Sequence, residues 1–183
     1  MSAYCKQHGV TLLEAMVVIT IAAIVVAIGA PSMQSWIVSG RLRVKAESVL
    51  NGLQLARSEA LKRNTAVFFT LSADSSWTVG CSTTVADLNN DGVDDCPASI
   101  QAKPAEEGGD GTTVALTPST STTATYTGLS ILASTNKDLS VPFTAVDFSS
   151  AGTTKTYRVT LSAGGQSKLC DPAITTTGDP RKC

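Results

Sequence analysis

The sequence predicts an α+β fold in which one long N-terminal helix precedes a domain of antiparallel β-sheet. Three observations support this prediction. Residues 10–30 contain only three polar side chains. Apolar residues then continue at helical spacing to about residue 64. Beyond that point, short stretches rich in β-branched and aromatic residues alternate with turn-forming residues, which is the pattern of β-strands.

The apolar segment 10–30 is long enough to cross a membrane. About twenty helical residues at about 1.5 Å each span a hydrocarbon layer of about 30 Å. A buried core helix and a secretory signal peptide are the alternatives, but the segment is long for a signal peptide and lacks an A-x-A cleavage site. We therefore predict a transmembrane helix over 10–30.

Glu14 is the only charged residue of this helix. A carboxylate costs about 2.5–3.5 kcal/mol within a spanning helix, so such a residue is expected to have a partner and a function. If the chain is cut between Gly9 and Val10, the new ammonium of Val10 is the natural partner, in the same chain or a neighbour. Lys6 and His8 favour a cytoplasmic position for the preceding segment.

The helix is expected to continue over 31–64 as an amphipathic segment. Charged residues lie on its other faces, and Glu59 and Arg63 are spaced as an i,i+4 ion pair. Pro31 removes a backbone donor, so a kink or local melting is expected near it. The apolar residues predicted to form the buried stripe are Ala46, Val49, Leu50, Leu53, Ala56, Ala60 and Leu61.

Residues 65–183 are expected to form the β domain. Residues 103–123 are rich in Gly, Thr, Ser and Glu, and predict a mobile loop or an irregular edge. The predicted strands are 66–71, 77–81, 113–117, 124–126, 145–148, 157–161 and 167–170.

The segment Gly9-Val10-Thr11-Leu12-Leu13-Glu14 resembles the signature of type IV prepilins. Pro31 matches a proline that is usual in that family, and Val10 replaces its usual phenylalanine. The stretch Leu55-Ala56-Arg57-Ser58-Glu59-Ala60 resembles a motif of the FimU/FimT/GspH group of minor pilins and pseudopilins. The resemblance covers the first 63 residues well and scattered positions after them.

This resemblance implies a type IV pilin-like fold and a structural role. Residues 1–9 would be a leader that a prepilin peptidase removes, with N-methylation of Val10, and Glu14 would act in assembly. The chain would sit in the bacterial inner membrane with its C-terminal domain in the periplasm. An assembly platform would then move it into a surface pilus beside minor and major pilins, at the tip or in an initiation complex. A type II secretion pseudopilin of the GspH type is the first alternative.

The cysteines predict an oxidising compartment for the β domain. Removal of the leader also removes Cys5 and leaves an even number, for which three connectivities exist. Pairing that closes short loops is favoured, which joins Cys81 to Cys96 and Cys170 to Cys183. A zinc site is disfavoured because no Cys-x-x-Cys spacing occurs.

One acidic loop copies the first part of a calcium-binding loop. Oxygen side chains occur at Asp87, Asn89, Asp91 and Asp95, with glycine at the sixth position. Ala98 stands where the bidentate acid is required, and a polar turn between strands is the simpler interpretation. Calcium is therefore the one candidate cofactor, and we favour a protein without any cofactor.

DNA binding is the second alternative function. In FimT-like DNA-uptake pilins a Gly-Arg-x-Arg pattern near the C-terminus contacts phosphates. Gly165 matches that pattern here, but Gln166 and Lys168 replace the arginines. A DNA site would rest on Lys168, Arg181 and Lys182, with Lys155 and Arg158 near them in sequence, and an ordinary hairpin turn is preferred.

Composition argues against an enzyme. The only histidine is His8, within the predicted leader, so the processed chain lacks the imidazole of a Ser-His-Asp mechanism. The net charge is −1, which argues against a general nucleic-acid-coating protein. Neither a phosphate-binding loop nor a G-x-G-x-x-G motif occurs. We therefore predict a structural protein without catalytic residues.

Overall fold

The computed structural model describes residues 9–87, 95–105 and 111–183. One helix, α1, spans Leu12–Arg63. The chain divides into two compact units between Ile37 and Val38, so α1 contributes its first part to one unit and its second part to the other. The predicted fold class, a long N-terminal helix with an antiparallel β domain, is confirmed.

The first unit consists of the apolar part of α1. Residues Leu12–Gly29 form a helix that is long and apolar enough to cross a membrane, by length and composition. The helical backbone continues through Pro31, so the chain does not melt there. The kink that we expected at this proline stays a prediction.

In the second unit, α1 buries one narrow stripe of side chains. The members of this stripe follow one another at intervals of four and three residues, which places them on one face. Leu61 was predicted to belong to it but is 62% exposed. It directly follows the buried Ala60 and therefore points away from the stripe by about 100°. The fully buried members are Leu42, Ala46, Val49, Leu53, Ala56 and Ala60.

Helix α1 ends at Arg63 because Asn64 adopts a left-handed conformation, with φ at 48°. The Thr65 N–H then donates to the Ala60 carbonyl at 3.2 Å. This hydrogen bond closes the last turn and directs the chain into the first strand.

Among the residues that the structure describes, eight strands follow and form two four-stranded antiparallel sheets. The first sheet has the order β3-β2-β1-β5 and the second the order β4-β6-β7-β8. The strands are β1 (Val67–Leu71), β2 (Trp77–Cys81), β3 (Gln101–Lys103), β4 (Thr112–Thr117), β5 (Thr123–Tyr126), β6 (Ala145–Ser150), β7 (Tyr157–Leu161) and β8 (Ser167–Cys170).

The strand predictions need one correction. Strand β3 was not predicted, because three residues give no visible alternation, and its neighbour β2 defines it through long-range pairing. The strand predicted at 113–117, within the interval 103–123, is observed as β4 and begins one residue earlier. Pairing with β6 along its whole length stabilises that strand. The glycine-rich part, 106–110, lies outside the described residues.

Aromatic side chains join the helix to the first sheet. The Trp77 indole N–H donates to the Ser48 hydroxyl of α1 at 3.0 Å. A Cβ added to Gly52 would lie 2.6 Å from the Phe69 ring, so the helix approaches the sheet as closely as a glycine allows. Tyr126, Phe69, Phe143 and Phe148 are the largest fully buried side chains. The hydrophobic core thus lies where α1 meets the sheets.

Candidate assembly site at the N-terminal helix

The first turn of α1 is built by its own sequence. The Thr11 hydroxyl accepts the Glu14 backbone N–H at 3.2 Å, and the Thr11 carbonyl accepts the Ala15 N–H at 3.1 Å. Thr11 therefore caps the helix, and Thr11 with Glu14 has the spacing of a capping box. Because the cap lies one residue after Val10, the Gly9–Val10 bond lies just outside the helix.

This cap places Glu14 in the first helical turn, where unpaired backbone N–H groups give the helix a partial positive charge. A carboxylate is favoured at that end of a helix. Val10 precedes it by one turn, and its side chain is 71% exposed. Val10 and Glu14, which the sequence predicts to be charge partners, thus lie at the same open end of the helix.

The rest of the first unit offers an apolar surface to a partner. Every described side chain from residue 9 to residue 29 is exposed. The Thr20 hydroxyl donates to the Met16 carbonyl at 2.7 Å, so this polar group is satisfied within its own helix. A side chain set of this kind is stable only against lipid or other apolar helices.

The cysteines form the two predicted pairs. Cys81 is joined to Cys96 with a Cα–Cα distance of 5.7 Å, and Cys170 to Cys183 with a distance of 5.0 Å. The first bridge ties the end of β2 to the segment after the acidic loop. The second holds the C-terminal residue against the end of β8.

The acidic loop is described only at its ends. Asp87 and Asp95 lie within the described residues, whereas Asn89 and Asp91 lie outside them. Within the described part of the chain, no three His, Cys, Asp or Glu side chains are grouped as metal ligands. Calcium binding by this loop stays a prediction.

The basic residues near the C-terminus are drawn together by the second disulfide. The Lys168 ammonium donates to the Lys182 carbonyl at 2.7 Å, and the Lys182 ammonium donates to the Thr175 carbonyl at 3.2 Å. Arg181 donates two hydrogen bonds to Asp179, at 3.1 and 2.8 Å. This arginine lowers the pKa of Asp179 to about 2. Its charge is therefore compensated within the tail.

Arg158 is paired in the same way. It donates two hydrogen bonds to Asp147 across neighbouring strands, at 2.6 and 2.8 Å. These hydrogen bonds raise the pKa of Arg158 further above its ordinary value. Of the basic residues proposed from the sequence, two arginines are thus neutralised by carboxylates, which weakens the case for a phosphate-binding surface. The role of Lys168, Arg181 and Lys182 in DNA binding stays a prediction.

Sequence reasoning missed one junction that holds the domain together. Arg57 donates through Nε to the Ser130 carbonyl at 3.1 Å, and the Ser130 hydroxyl donates back to the Arg57 carbonyl at 3.3 Å. Ser130 has a positive φ of 60°. The motif Leu55–Ala60 contains this arginine, but only the fold brings it to a loop 73 residues away.

Comparison with known proteins agrees with this architecture. A family model described as "Type II transport protein GspH" matches residues 45–165, and one described as "Prokaryotic N-terminal methylation motif" matches residues 4–30. A search of curated proteins found no match.

Two solved structures are similar to this chain. The type IV minor pilin FimU of Pseudomonas aeruginosa is 16% identical, with a TM-score of 0.51 over 76% of this chain and 95% of FimU. The minor pseudopilin EpsH of the Type 2 Secretion System of Vibrio cholerae is 14% identical, with a TM-score of 0.47 over 72% of this chain and 98% of EpsH. The likeness to FimU supports the fold. Since the GspH model matches more than half of the chain, the protein belongs to the GspH family of minor pilins and pseudopilins.

Proposed function

We propose that this chain is a minor pilin, a structural subunit of a type IV pilus located at the tip or in the initiation complex. The observation that carries the proposal is the first turn of α1. A threonine cap places Glu14 one helical turn after Val10, at the start of a segment, residues 12–29, in which every side chain is exposed. The proposal assigns no catalytic role to this chain.

Processing would precede assembly. The prepilin sits in the inner membrane with its leader in the cytoplasm and its β domain in the periplasm, where disulfides form. Prepilin peptidase cuts between Gly9 and Val10, and the new ammonium then lies one residue before the helix cap. The family motif over residues 4–30 supports this step.

The Val10 ammonium and the Glu14 carboxylate would then guide assembly. An inner-membrane platform lifts the subunit into the fibre, where lipid contacts of the apolar helix are replaced by contacts with other pilin helices. Glu14 pairs with the Val10 ammonium of an adjoining subunit. Each charge alone is costly in an apolar fibre core, so the helices are stable only at the stagger that brings the two groups together.

The N-terminal peptide of this protein tests the proposal directly. Surface fibres are sheared from cells, and peptides from the fibre and membrane fractions are compared by mass spectrometry. A peptide that starts at N-methylated Val10 in the fibre fraction is expected. A chain that still begins at Met1 in every fraction would contradict both processing and assembly.

A GspH-type pseudopilin is the second candidate, because the matching family model carries that description. Such a subunit would build a short periplasmic structure rather than a surface fibre. It predicts the same processed N-terminus at Val10, but found in the membrane fraction alone. The shearing experiment therefore separates the two candidates as well as testing them.

A further inference from the structure

The two disulfides of the β domain differ in how deeply they are buried. Cys81 has no exposed surface and Cys96 is 2% exposed, and both side chains belong to the hydrophobic core. Cys170 is also buried, at 3% exposure, but Cys183 is exposed, and neither of these two belongs to the core. A reagent can therefore approach the second disulfide from the side of Cys183, whereas the first is closed to solvent.

The tail, residues 171–183, is held to the domain mainly by the second disulfide. Its own backbone hydrogen bonds are local, as from the Asp171 N–H to the Arg181 carbonyl at 2.7 Å. Within the described part of the chain, one hydrogen bond joins the tail to β8, from the Lys168 ammonium to the Lys182 carbonyl at 2.7 Å. No residue of the tail contributes to the hydrophobic core. Without the disulfide, little would keep the tail in place.

A disulfide in this position can open while the domain stays folded. Segments with few buried apolar contacts open locally at a low free energy, whereas a core element opens only together with the domain. The tail is a segment of the first kind. Cys81 instead lies in β2, a central strand of the first sheet, and its partner Cys96 is packed in the same core. A reductant should therefore open the two disulfides at different rates.

Exchange with a dithiol is the reaction that such a disulfide can undergo. One thiolate of the dithiol attacks Sγ of Cys183, the exposed side of the bond, and Sγ of Cys170 leaves as a thiolate that takes up a proton. The second thiol of the dithiol loses its proton and closes onto the first sulfur, which releases Cys183. Two electrons and two protons thus pass from the dithiol, which becomes a disulfide, to the two cysteines.

We propose that Cys170–Cys183 is a thiol–disulfide exchange site, at which a dithiol protein opens and re-forms the bond and so releases and refastens the tail. Cys81–Cys96 takes no part and keeps the domain folded throughout. The exchange itself depends only on the fold. The location of the dithiol protein outside the inner membrane rests on the proposed function, which puts the β domain there.

The rates of reduction of the two disulfides test the proposal within one molecule. The full chain with Cys5→Ser is kept folded in detergent and treated with dithiothreitol, and samples are alkylated at increasing times for peptide mass spectrometry. We expect Cys170–Cys183 to open about a hundredfold faster than Cys81–Cys96. In concentrated guanidinium the two rates should become similar. Equal rates in the folded protein would overturn the proposal.

A variant without the second disulfide shows whether opening it releases the tail alone. Cys170→Ser with Cys183→Ser is compared with the parent chain by amide hydrogen exchange. We expect exchange in the tail to become about tenfold faster or more, while exchange in β1 and β2 is unchanged and Cys81–Cys96 stays intact. Faster exchange in β1 and β2 to the same extent, or an unchanged tail, would overturn the proposal.

The redox state in the source cells shows whether the exchange occurs there. Cells are quenched in acid, free thiols are alkylated, and the cysteine peptides are measured together with the N-terminal peptide. We expect the reduced fraction of Cys170–Cys183 to exceed that of Cys81–Cys96 by about tenfold or more. Equal oxidation of both disulfides in a chain that begins at Val10 would refute the exchange and leave the proposed function intact. A chain that begins at Met1, with Cys170–Cys183 partly reduced, would refute only the proposed function.

Discussion

The two parts of α1 differ in where their apolar side chains lie. From Leu12 to Gly29 apolar residues occur on all sides of the helix, Glu14 and Thr20 being the exceptions, and every side chain is exposed. From Leu42 to Ala60 a single stripe is buried against the sheets, and Lys45, which was expected on another face, is buried with it. The angular width of the apolar surface thus determines the partner: a stripe is covered by the same chain, whereas a wholly apolar helix requires lipid or other subunits.

Small residues explain how the second part packs so closely. Ala46, Ala56 and Ala60 have no exposed surface, and Gly52 faces the Phe69 and Trp77 rings. Long side chains at these positions would hold the helix away from the sheet. The first part instead carries mainly large branched residues, which suit contact with lipid chains or with other helices.

The largest effect is expected from a charge change in the first part. Glu14→Leu should leave the protein in the membrane but reduce its amount in sheared fibres by about tenfold or more, because a buried ammonium then lacks its partner. Quantitative mass spectrometry of both fractions measures this. Glu47→Leu is the matched control, since Glu47 is a half-exposed carboxylate of the second part that forms an ion pair with Arg43 at 2.8 Å. Normal incorporation of Glu14→Leu would refute the assembly role.

The second-largest effect is a difference in how much the side chains of the two parts of α1 contribute to the free energy of unfolding. Leu53→Ala removes a fully buried side chain and should lower the free energy of unfolding of the β domain by about 2–5 kcal/mol. Leu13→Ala removes an exposed one and should leave that free energy unchanged. Denaturant unfolding of the full chain in detergent, followed by Trp77 fluorescence in a Trp36→Phe background, provides the comparison. Equal effects of the two changes would contradict the division of α1.

The disulfides should contribute a similar amount to the second unit. They close loops with sequence separations of 15 and 13 residues. Loops of this length stabilise by about 3 kcal/mol each in the chain-entropy description. Paired serine variants, Cys81→Ser with Cys96→Ser and Cys170→Ser with Cys183→Ser, are compared by denaturant unfolding. Peptide mapping without reduction checks the pairing, and a Cys81–Cys170 crosslink would contradict it.

The smallest effect concerns acid stability of the tail. Arg181 lowers the pKa of Asp179 from 3.8 to about 2, so the ionised form is favoured by folding. The resulting stabilisation is present above about pH 4 and is lost as the pH falls towards 2. Because Arg181→Gln removes this effect, we expect a slightly flatter acid-unfolding curve between these pH values. An unchanged curve would show that the exposed pair contributes nothing measurable.

Local patterns made most of the secondary structure predictable. The boundaries of α1 follow from Thr11 at one end and Asn64 at the other, and strands such as 77–81 and 157–161 are observed as predicted. The prediction for Leu61 was wrong because this residue lies at a helical interval from one member of the buried stripe without lying on the same face of the helix. Strand β3 was not predicted because three residues show too little alternation, and pairing with a neighbouring strand decides their conformation.

The features of the candidate site likewise fall into those that the local sequence predicts and those that only the fold brings about. The cap at Thr11 and the position of Glu14 are local, so their place at the helix start followed from the motif alone. The pairing of Arg158 with Asp147 joins residues 11 positions apart on neighbouring strands, and no motif announced it. The sequence alone therefore did not indicate that carboxylates neutralise two of the basic residues considered for DNA binding.

By itself, the sequence determined the long helix, its apolar N-terminal segment, the N-terminal methylation motif and most strands, because these depend on residues close together in the chain. Only the tertiary structure decided the order of strands in the two sheets and the contact between Arg57 and Ser130. These features depend on contacts between distant residues. Their stability comes from shared burial and hydrogen bonding, which no short stretch of sequence encodes.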